Sequence, residues 1–278
     1  MELNGKEVST EMKEELRLKV SELKKLSIEP KVAIILVGHN PESISYINMK
    51  RKVCDELGIL MVIFHFLEES PEEELKKKIN ELNNDITIHG ILIQLPLPEH
   101  FNKNKLLNHI SYKKDVDGFH TMNAGALFQN RNINVVPCTP LGCMELLDYY
   151  KIDVKGMNIT VVGTSDIVGL PLSMLLLQKG ATVTMCNLNT KDVKEHTLHA
   201  DMVIACCGVP YLIKSDWVKE DVIIIDIGIN RIEDKSKKTG YRLVGDVDFE
   251  NVKRKCKYIT PVPGGIGPMT VISLMKNI

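Results

Sequence analysis

The chain has 278 residues, of which 44% are hydrophobic and 26% charged, and its formal net charge is −1. A chain of this length can bury a sizeable core and favours two domains. The near-neutral charge gives no sign of a nucleic-acid partner or of a charged membrane surface. No apolar run reaches the length of a transmembrane helix, and the N-terminus lacks the apolar core of a signal peptide. We therefore expect a cytoplasmic protein.

Seven cysteines are present, and no two of them have CxxC spacing. An odd count without paired spacing is typical of reduced, mostly buried thiols rather than of a zinc site or a disulfide framework. We expect no metal centre.

The first half of the chain alternates helical and strand patterns. An amphipathic helix follows Ser9 and Thr10, which are candidate N-caps, and Ser70 to Glu73 has the pattern of a capping box. The predicted helices cover residues 12–23, 43–57, 71–82 and 104–110, and the predicted strands cover residues 31–38, 59–66 and 86–95. This alternation indicates a parallel α/β sheet.

The second half repeats the alternation after a helix at residues 138–150. Its predicted strands cover residues 158–162, 181–186, 201–207, 222–227 and 258–263. A charged segment, residues 233–240, has the composition of a hairpin tip, and residues 261–268 hold too much Gly and Pro for regular structure. A short helix closes the chain. The expected fold is two α/β lobes around a cleft, the second a Rossmann-like doubly wound parallel sheet.

The first strand of the second lobe is followed by a candidate phosphate-binding turn. Its β-branched run ends at Gly163, a polar turn follows, and Gly169 opens a helix whose N-terminus would suit a pyrophosphate. The spacing departs from the standard dinucleotide fingerprint, because Ser165 takes the place of the second glycine and Gly169 comes one residue late. An ordinary strand-to-helix turn explains the motif alone equally well. Its position in the lobe favours a dinucleotide.

Three places in the first lobe carry candidate chemistry. Tyr46 and Lys50 lie four residues apart on one helix face, where a ring could stack on a flat heterocycle beside a proton acceptor; a solvated pair is the alternative. Gln94 ends a buried strand and points into the crevice of a parallel sheet, or else caps loop carbonyls. Asp115 and Asp117 flank a valine, and one of them could bind a nitrogen-rich ring; a plain turn is the alternative.

Seven motifs taken together carry a resemblance. They are, in chain order, Tyr46 to Lys50, Gln94 to Pro98, Lys114 to Gly118, Pro137 to Pro140, Ile225 to Asn230, Gly245 to Val247, and Ile259 to Thr270. The chain resembles the methylenetetrahydrofolate dehydrogenase/cyclohydrolase family from its first helix to its last. The proline-glycine run near the C-terminus is the most specific motif.

The resemblance implies two reactions. A hydride passes from methylenetetrahydrofolate to a nicotinamide, and water then opens the methenyl cation to 10-formyltetrahydrofolate. It also implies a folate-binding catalytic domain at residues 1–138, joined by the C-terminal helix at residues 268–278, and an NAD(P)-binding domain at residues 139–267. The expected partners are tetrahydrofolate derivatives and a second copy of the chain, which would form a homodimer through the nucleotide lobe.

The resemblance also assigns residues to roles on the folate side. Lys50 matches the essential lysine, Tyr46 the tyrosine that stacks on folate, Gln94 the glutamine that bonds the lysine, and Asp117 the carboxylate that holds the pterin. Ser43 matches a further cleft residue. The expected substrate contacts also include Pro263, Gly264 and Gly265.

On the cofactor side, the resemblance implies that Gly163, Thr164 and Ser165 form the phosphate turn together with Ile167 and Gly169. Ile229 and Thr270 match positions near the nicotinamide. The chain departs from its relatives at Leu188, which replaces a polar or basic residue near the adenosine 2′-phosphate. No acidic residue stands there to hold a free 2′-hydroxyl either. We expect NADP, with NAD possible.

Three alternatives remain open from the sequence. A dehydrogenase-only relative would keep Lys50 without productive water attack. A shikimate-type dehydrogenase also pairs a Lys/Asp lobe with a nucleotide lobe, although the proline-glycine run argues against it. A non-catalytic nucleotide sensor would have no activity to lose on substitution of Lys50.

Overall fold

The structure, a computed structural model, describes residues 1–131, 134–237 and 240–278. The helices in this part are α1 Gly5–Lys25, α2 Pro41–Leu57, α3 Glu72–Asn84, α4 Lys103–Leu107, α5 Thr121–Gln129, α6 Cys138–Tyr149, α7 Gly169–Gln178, α8 Val193–Leu198, α9 Phe249–Val252 and α10 Ile266–Asn277. The strands are β1 Lys31–Val37, β2 Leu60–Phe66, β3 Gly90–Ile93, β4 Asn158–Val162, β5 Thr182–Cys186, β6 Met202–Ala205, β7 Val222–Asp226, β8 Asn230–Glu233, β9 Tyr241–Val244 and β10 Cys256–Ile259.

The chain divides into two compact units. We call Thr10–Cys138 with Val271–Ile278 the three-stranded unit, and Met1–Ser9 with Thr139–Thr270 the five-stranded unit. Each has its own parallel sheet. The prediction of two α/β lobes, the second with a Rossmann-like doubly wound sheet, is confirmed. Within the described residues, no helix has the length and apolarity needed to span a membrane.

The sheet of the three-stranded unit has the order β2-β1-β3. Its central strand β1 is buried from Val32 to Val37, because it has a neighbour on each side and is covered on both faces, which is why its sequence is almost entirely apolar. Leu75 and Ile79 of α3 pack in the same core. This arrangement fixes the carboxyl ends of β1 and β3 side by side.

The third strand is shorter than its sequence predicts. It begins at Gly90 rather than at Ile86, and Ile86 is 91% exposed. The side chain of Asp85 accepts hydrogen bonds from the backbone N–H and the hydroxyl of Thr87. A turn closed by a side chain in this way competes with the strand for the same backbone groups.

Two predicted helix starts are also wrong. Helix α1 begins at Gly5, since the side chain of Asn4 accepts from the backbone N–H of Glu7, and Ser9 lies inside the helix. Helix α3 begins at Glu72 with no side-chain cap, so the capping box at residues 70–73 does not form. Helix α5, residues 121–129, was not predicted at all.

The sheet of the five-stranded unit has the order β10-β7-β6-β4-β5. The chain passes from β4 to β5 on one side and then to β6 and β7 on the other, so that the strand order reverses beside β4. Ligands of doubly wound sheets bind at the carboxyl ends of the strands at such a reversal.

Strands β8 and β9 form an antiparallel hairpin next to this sheet, with Asn230 opposite Val244. The predicted hairpin tip, residues 233–240, falls between them, although residues 238 and 239 of that prediction lie outside the described residues. The proline-glycine run is less irregular than expected, because α10 already begins at Ile266. Pro268 fits there because the first turn of a helix needs no N–H from it.

Candidate active site

Helix α2 carries three of the predicted residues of the three-stranded unit. The side chain of Asn40 accepts from the backbone N–H groups of Glu42 and Ser43 and so sets the start of the helix. Tyr46 and Lys50 follow one turn apart, and Tyr46 is 38% exposed. The amino group of Lys50 donates to Oε1 of Gln94 at 2.9 Å. Lys50 and Gln94 are therefore brought together as the sequence predicts.

Gln94 is held in a single orientation. Its backbone N–H continues the sheet by donating to Ile35 at 2.8 Å, and its side chain is 8% exposed. Its Nε2 donates to the Leu95 carbonyl at 2.8 Å, which leaves Oε1 to face Lys50. Gln94 thus caps a loop carbonyl and also bonds the lysine.

Ser43 joins the same network at its far end. It is 1% exposed, and its hydroxyl lies 3.5 Å from the Leu95 carbonyl oxygen. We call Ser43, Lys50, Gln94 and the Leu95 carbonyl the lysine network. Its members hold one another in place without a ligand, so the amino group of Lys50 is preorganised.

The two carboxylates of the Asp-Val-Asp motif differ in what they bind. Asp115 is 2% exposed and accepts from the backbone N–H groups of Gly118 and His120 and from the amide of Asn123, at 2.8–3.1 Å. Its hydrogen-bonding capacity is used within the loop. Asp117 is half-buried, and its Oδ1 lies 3.7 Å from the thiol of Cys138.

The pKa of the Asp117 carboxyl is raised to about 6, chiefly by burial and also by the charge of the nearby Asp115. The positive charge of Lys50 and the thiol of Cys138 act in the opposite direction. A carboxyl in this position is poised to gain from hydrogen-bond donors that replace the lost water. Asp117 is therefore the carboxylate of the motif that is available to a nitrogen-rich ring.

Two residues that the sequence analysis did not single out fix the loop of Asp117. Asn277, near the end of α10, donates from Nδ2 to the carbonyls of Val116 and Val136, both at 3.0 Å. The thiol of Cys138 donates to the Val116 carbonyl at 3.3 Å. The Pro137-to-Pro140 motif was a signal for Cys138, whereas no local pattern marks Asn277.

In the five-stranded unit, the predicted phosphate turn connects β4 to α7. An added Cβ at Gly169 would lie 2.0 Å from the Gly163 carbonyl oxygen, and one at Gly163 would lie 2.4 Å from the Cys206 carbonyl oxygen. Only glycine fits either place. The exposed Ser165 accepts from the backbone N–H groups of Val168 and Gly169. Thr164 and Ile167 are half-buried beside it.

The turn after β5 is closed by its own side chains. The hydroxyl of Thr190 accepts from the backbone N–H of Asn187, and Oδ1 of Asn187 accepts from that of Asn189. Leu188 between them is 100% exposed. Lys191 is also exposed and is the nearest basic side chain in the sequence.

The remaining predicted residues all belong to the five-stranded unit. Ile229 follows β7 and is 44% exposed, and the hydroxyl of Thr270 lies 3.0 Å from that of Thr139. Pro263 is exposed, the carbonyl of Gly264 accepts from Lys6 at 3.0 Å, and Gly265 is buried. A Cβ at Gly5 would lie 1.8 Å from the Gly265 carbonyl oxygen, so this run holds the first residues of the chain. Lys50 and these residues lie in different units.

Two family models match the chain. Residues 3–117 match the catalytic domain of tetrahydrofolate dehydrogenase/cyclohydrolase, and residues 137–278 match its NAD(P)-binding domain. The chain belongs to the tetrahydrofolate dehydrogenase/cyclohydrolase family. It is an enzyme of that family, and the shikimate-type and non-catalytic alternatives are set aside.

The similarity to known proteins covers nearly the whole chain. A bifunctional protein FolD of Nautilia profundicola is 50% identical over 99% of this chain and 94% of the relative. The crystal structure of the bifunctional FolD of Campylobacter jejuni has a TM-score of 0.96 at 47% identity and covers 100% of this chain and 96% of that one. A FolD of Trypanosoma brucei, complexed with NADP and an inhibitor, has a TM-score of 0.95 at 35% identity over 99% and 94% of the two chains.

Proposed function

We propose that the enzyme oxidises 5,10-methylenetetrahydrofolate with NADP and hydrolyses the resulting methenyl cation to 10-formyltetrahydrofolate, in one-carbon metabolism. The lysine network carries the proposal, since it places one amine against an amide oxygen in the unit that matches the catalytic domain. We assign the folate-binding catalytic domain to residues 1–138 with the helix at 268–278, and the NAD(P)-binding domain to residues 139–267.

Lys50 promotes the attack of water on the methenyl carbon. The methenyl group is a cation conjugated to a flat ring, so that water is a sufficient nucleophile once a positioned base takes its proton. Lys50 is the group that takes this proton, and Gln94 aims it by accepting one of its N–H bonds. The Leu95 carbonyl fixes Gln94 in turn, which keeps the amine in one place during proton transfer.

Asp117 and Tyr46 hold the folate. The carboxylate of Asp117 accepts two parallel N–H bonds from the pterin, a geometry that suits a ring with neighbouring nitrogen donors. The exposed ring of Tyr46 stacks on the flat part of the substrate. Ser43 supports the loop of Gln94, and the residues of the run at 263–265 are proposed as further substrate contacts.

The cofactor is held by the five-stranded unit. The turn between Gly163 and Gly169 admits no side chain, and the N-terminus of α7, a helix of ten residues, suits the pyrophosphate. Ile229 and Thr270 would hold the nicotinamide. When bound, the cofactor supplies the hydride acceptor, and the protein aligns it with the methylene carbon and excludes water.

The absence of an acidic residue from the sequence of the turn after β5 favours NADP over NAD. Residues 187–191 contain no Asp or Glu that would hold a free 2′-hydroxyl and repel a phosphate. Leu188 is fully exposed and offers no hydrogen bond, which leaves Lys191 and Thr164 as the groups for the 2′-phosphate. The NADP complex of the trypanosomal relative supports this choice.

A homodimer in the cytoplasm completes the proposal. Strand β5 is the edge of its sheet, with Met185 42% exposed on it and Leu177 53% exposed on α7. An open edge with apolar side chains beside it favours association with a second copy. All seven cysteines are free thiols, which fits a reducing compartment. Sedimentation of the purified chain tests the dimer, and a monomer at micromolar concentration contradicts it.

The activity is tested with methylenetetrahydrofolate and either NADP or NAD, while reduced cofactor, methenyl product and its hydrolysis are followed separately. We expect reduced cofactor to form faster with NADP, and the methenyl product to disappear faster than in buffer. No reduced cofactor with either nucleotide contradicts the dehydrogenase. Methenyl decay at the uncatalysed rate leaves the dehydrogenase-only alternative.

A further inference from the structure

Two buried carboxylates lie at the carboxyl edge of the five-stranded sheet and have no part in the chemistry proposed above. Asp226 is the last residue of β7 and is 2% exposed, and Asp246 follows β9 and is 0% exposed. Asp226 accepts from the backbone N–H groups of Gly228, Asp246 and Val247, each at 3.0 Å. Asp226 therefore joins the segments that follow β7 and β9.

Asp246 joins a third segment to these two. Its Oδ2 accepts from the backbone N–H groups of Cys207 and Gly208 at 2.7 and 2.9 Å, just beyond the end of β6. The thiol of Cys207 lies 3.3 Å from the same oxygen, and Oδ1 accepts from Nδ2 of Asn230 at 2.9 Å. The two carboxylates thus fix the carboxyl ends of β6 and β7 together.

Glycines make room for both carboxylates. A Cβ at Gly228 would lie 2.2 Å from Oδ1 of Asp246, and one at Gly245 would lie 1.8 Å from Oδ2 of Asp226. The backbone is fitted to these charges so closely that no other residue can replace either glycine without displacing a carboxylate.

Uncharged groups supply the hydrogen bonds that this carboxylate pair receives. Among the ion pairs of residues 1–131, 134–237 and 240–278, none involves Asp226 or Asp246. The pKa of Asp226 is raised to about 7, chiefly by burial and also by the charge of Asp246, while the backbone N–H donors act in the opposite direction. Donor dipoles stabilise a buried carboxylate charge but do not cancel it, and no ion pair of the described residues neutralises it.

The position of the pair relates it to the nicotinamide half of the cofactor. The phosphate turn follows β4, β5 lies on one side of that strand, and β6 and β7 lie on the other. A dinucleotide crosses the carboxyl edge at this reversal, with its two halves on opposite sides. If the adenosine lies over β5, as proposed above, the nicotinamide lies over the ends of β6 and β7, beside Ile229 and the carboxylates.

We propose that the carboxylate pair of Asp226 and Asp246 sets the preference of this unit for the oxidised over the reduced cofactor. The oxidised nicotinamide ring carries a positive charge and the reduced ring carries none. A buried negative charge therefore attracts only the oxidised form, and it does so across a poorly screening interior. This inference rests on the proposed function, because it takes the cofactor to bind where that function places it.

The replacement Asp246→Asn removes one charge while keeping the hydrogen bonds. The new Oδ1 continues to accept from Cys207 and Gly208, and the new amide donates to Asn230 after the Asn230 amide turns over. The double variant Asp246→Asn with Asn230→Asp restores the charge at the neighbouring position of the same hydrogen bond. The pair of variants thus separates charge from geometry.

The experiment measures the dissociation constants of NADP⁺ and NADPH by calorimetry on the full chain, without substrate. In Asp246→Asn we expect NADP⁺ binding to weaken roughly tenfold relative to NADPH, because one negative charge is lost from a poorly screened interior. The double variant recovers most of that ratio. Equal weakening of both forms, or a ratio that the double variant leaves unrestored, overturns the proposal and makes Asp246 a structural residue.

Wild-type binding keeps the test decisive if Asp246→Asn does not fold. The wild-type chain is expected to bind NADP⁺ more tightly than NADPH, and the reverse order overturns the inference. A wild-type chain that binds neither form contradicts the proposed function itself. The two failures are therefore distinguishable.

Discussion

The lysine network and the proposed phosphate turn are held in place in different ways. In the network, side chains hold side chains: Lys50 is bound by Gln94, which the Leu95 carbonyl fixes. The turn is instead formed by the backbone, and Gly163 and Gly169 are required because a side chain at either position would clash with a backbone carbonyl. The side chains of a site indicate a particular reaction, whereas a glycine turn indicates only that a phosphate can bind. This explains why the reaction can be inferred more firmly than the choice between NADP and NAD.

The largest effect is expected from Lys50→Met. Methionine keeps the length of the side chain but cannot take a proton, so the hydrolysis of methenyltetrahydrofolate should fall by about 10²- to 10⁴-fold, toward the uncatalysed rate. Absorbance of the methenyl group follows the reaction. Lys52→Met on the exposed face of α2 is the matched control and should hydrolyse like the wild type. Equal losses in both variants would mean that the helix, not the amine, was changed.

Gly169→Ala should break the other region. Its Cβ would lie 2.0 Å from the Gly163 carbonyl oxygen, so the turn must open, and we expect NADP⁺ binding to weaken by about tenfold or more. Calorimetry measures the loss. Gly125→Ala is the control, because a Cβ there meets nothing within 4 Å. Retained NADP⁺ affinity in Gly169→Ala contradicts the assigned turn.

Asp117→Asn should weaken folate binding and stabilise the fold. The Asp117 pKa, raised to about 6, means that the folded state holds this proton more tightly than the unfolded state does. The free energy of unfolding therefore falls as the pH rises from about 4 to 6, and it remains lower at all higher pH values. At pH 8 the variant should gain about 1–3 kcal/mol, and at pH 3 nothing.

Asp115→Asn should change the stability in the opposite direction. Asp115 accepts three N–H bonds inside its loop, and an amide would turn its own N–H groups toward one of those donors. The variant should lose about 1–3 kcal/mol. Urea unfolding at pH 8 measures the free energy of unfolding of both variants, which should rise in Asp117→Asn and fall in Asp115→Asn. A shift in the same direction for both would contradict the distinction between the two carboxylates.

The smallest effect is expected from Asn277→Ala. The Val116 and Val136 carbonyls lose a shared donor, so the loop of Asp117 loosens and the KM for folate should rise about threefold to tenfold, with little change in kcat. Steady-state kinetics measure the split, and Lys276→Ala on the exposed face of α10 is the control. A fall in kcat at unchanged KM would place Asn277 in another role.

The contact between Lys50 and Gln94 could be predicted from the sequence, because its signals are local. Tyr46 and Lys50 are one helical turn apart, and Gln94 stands where an apolar strand ends. The hydrogen bonds of Asn277 could not be predicted, since Asn277 and Val116 are 161 residues apart in the sequence and meet only through tertiary packing. The capping box at residues 70–73 failed because a favourable local pattern was outweighed by the ion pairs of Glu72 and Glu73 with Lys76.

We propose that hydrolysis depends on the lysine network and cofactor binding on the phosphate turn. Methenyl hydrolysis and NADP⁺ affinity, measured together in Lys50→Met and Gly169→Ala, test this division. We expect opposite losses: Lys50→Met loses hydrolysis and keeps NADP⁺ binding, while Gly169→Ala loses binding and keeps hydrolysis, which needs no cofactor. Loss of both properties in either variant, with wild-type circular dichroism, would show that the two regions are not separate and would contradict the proposed division.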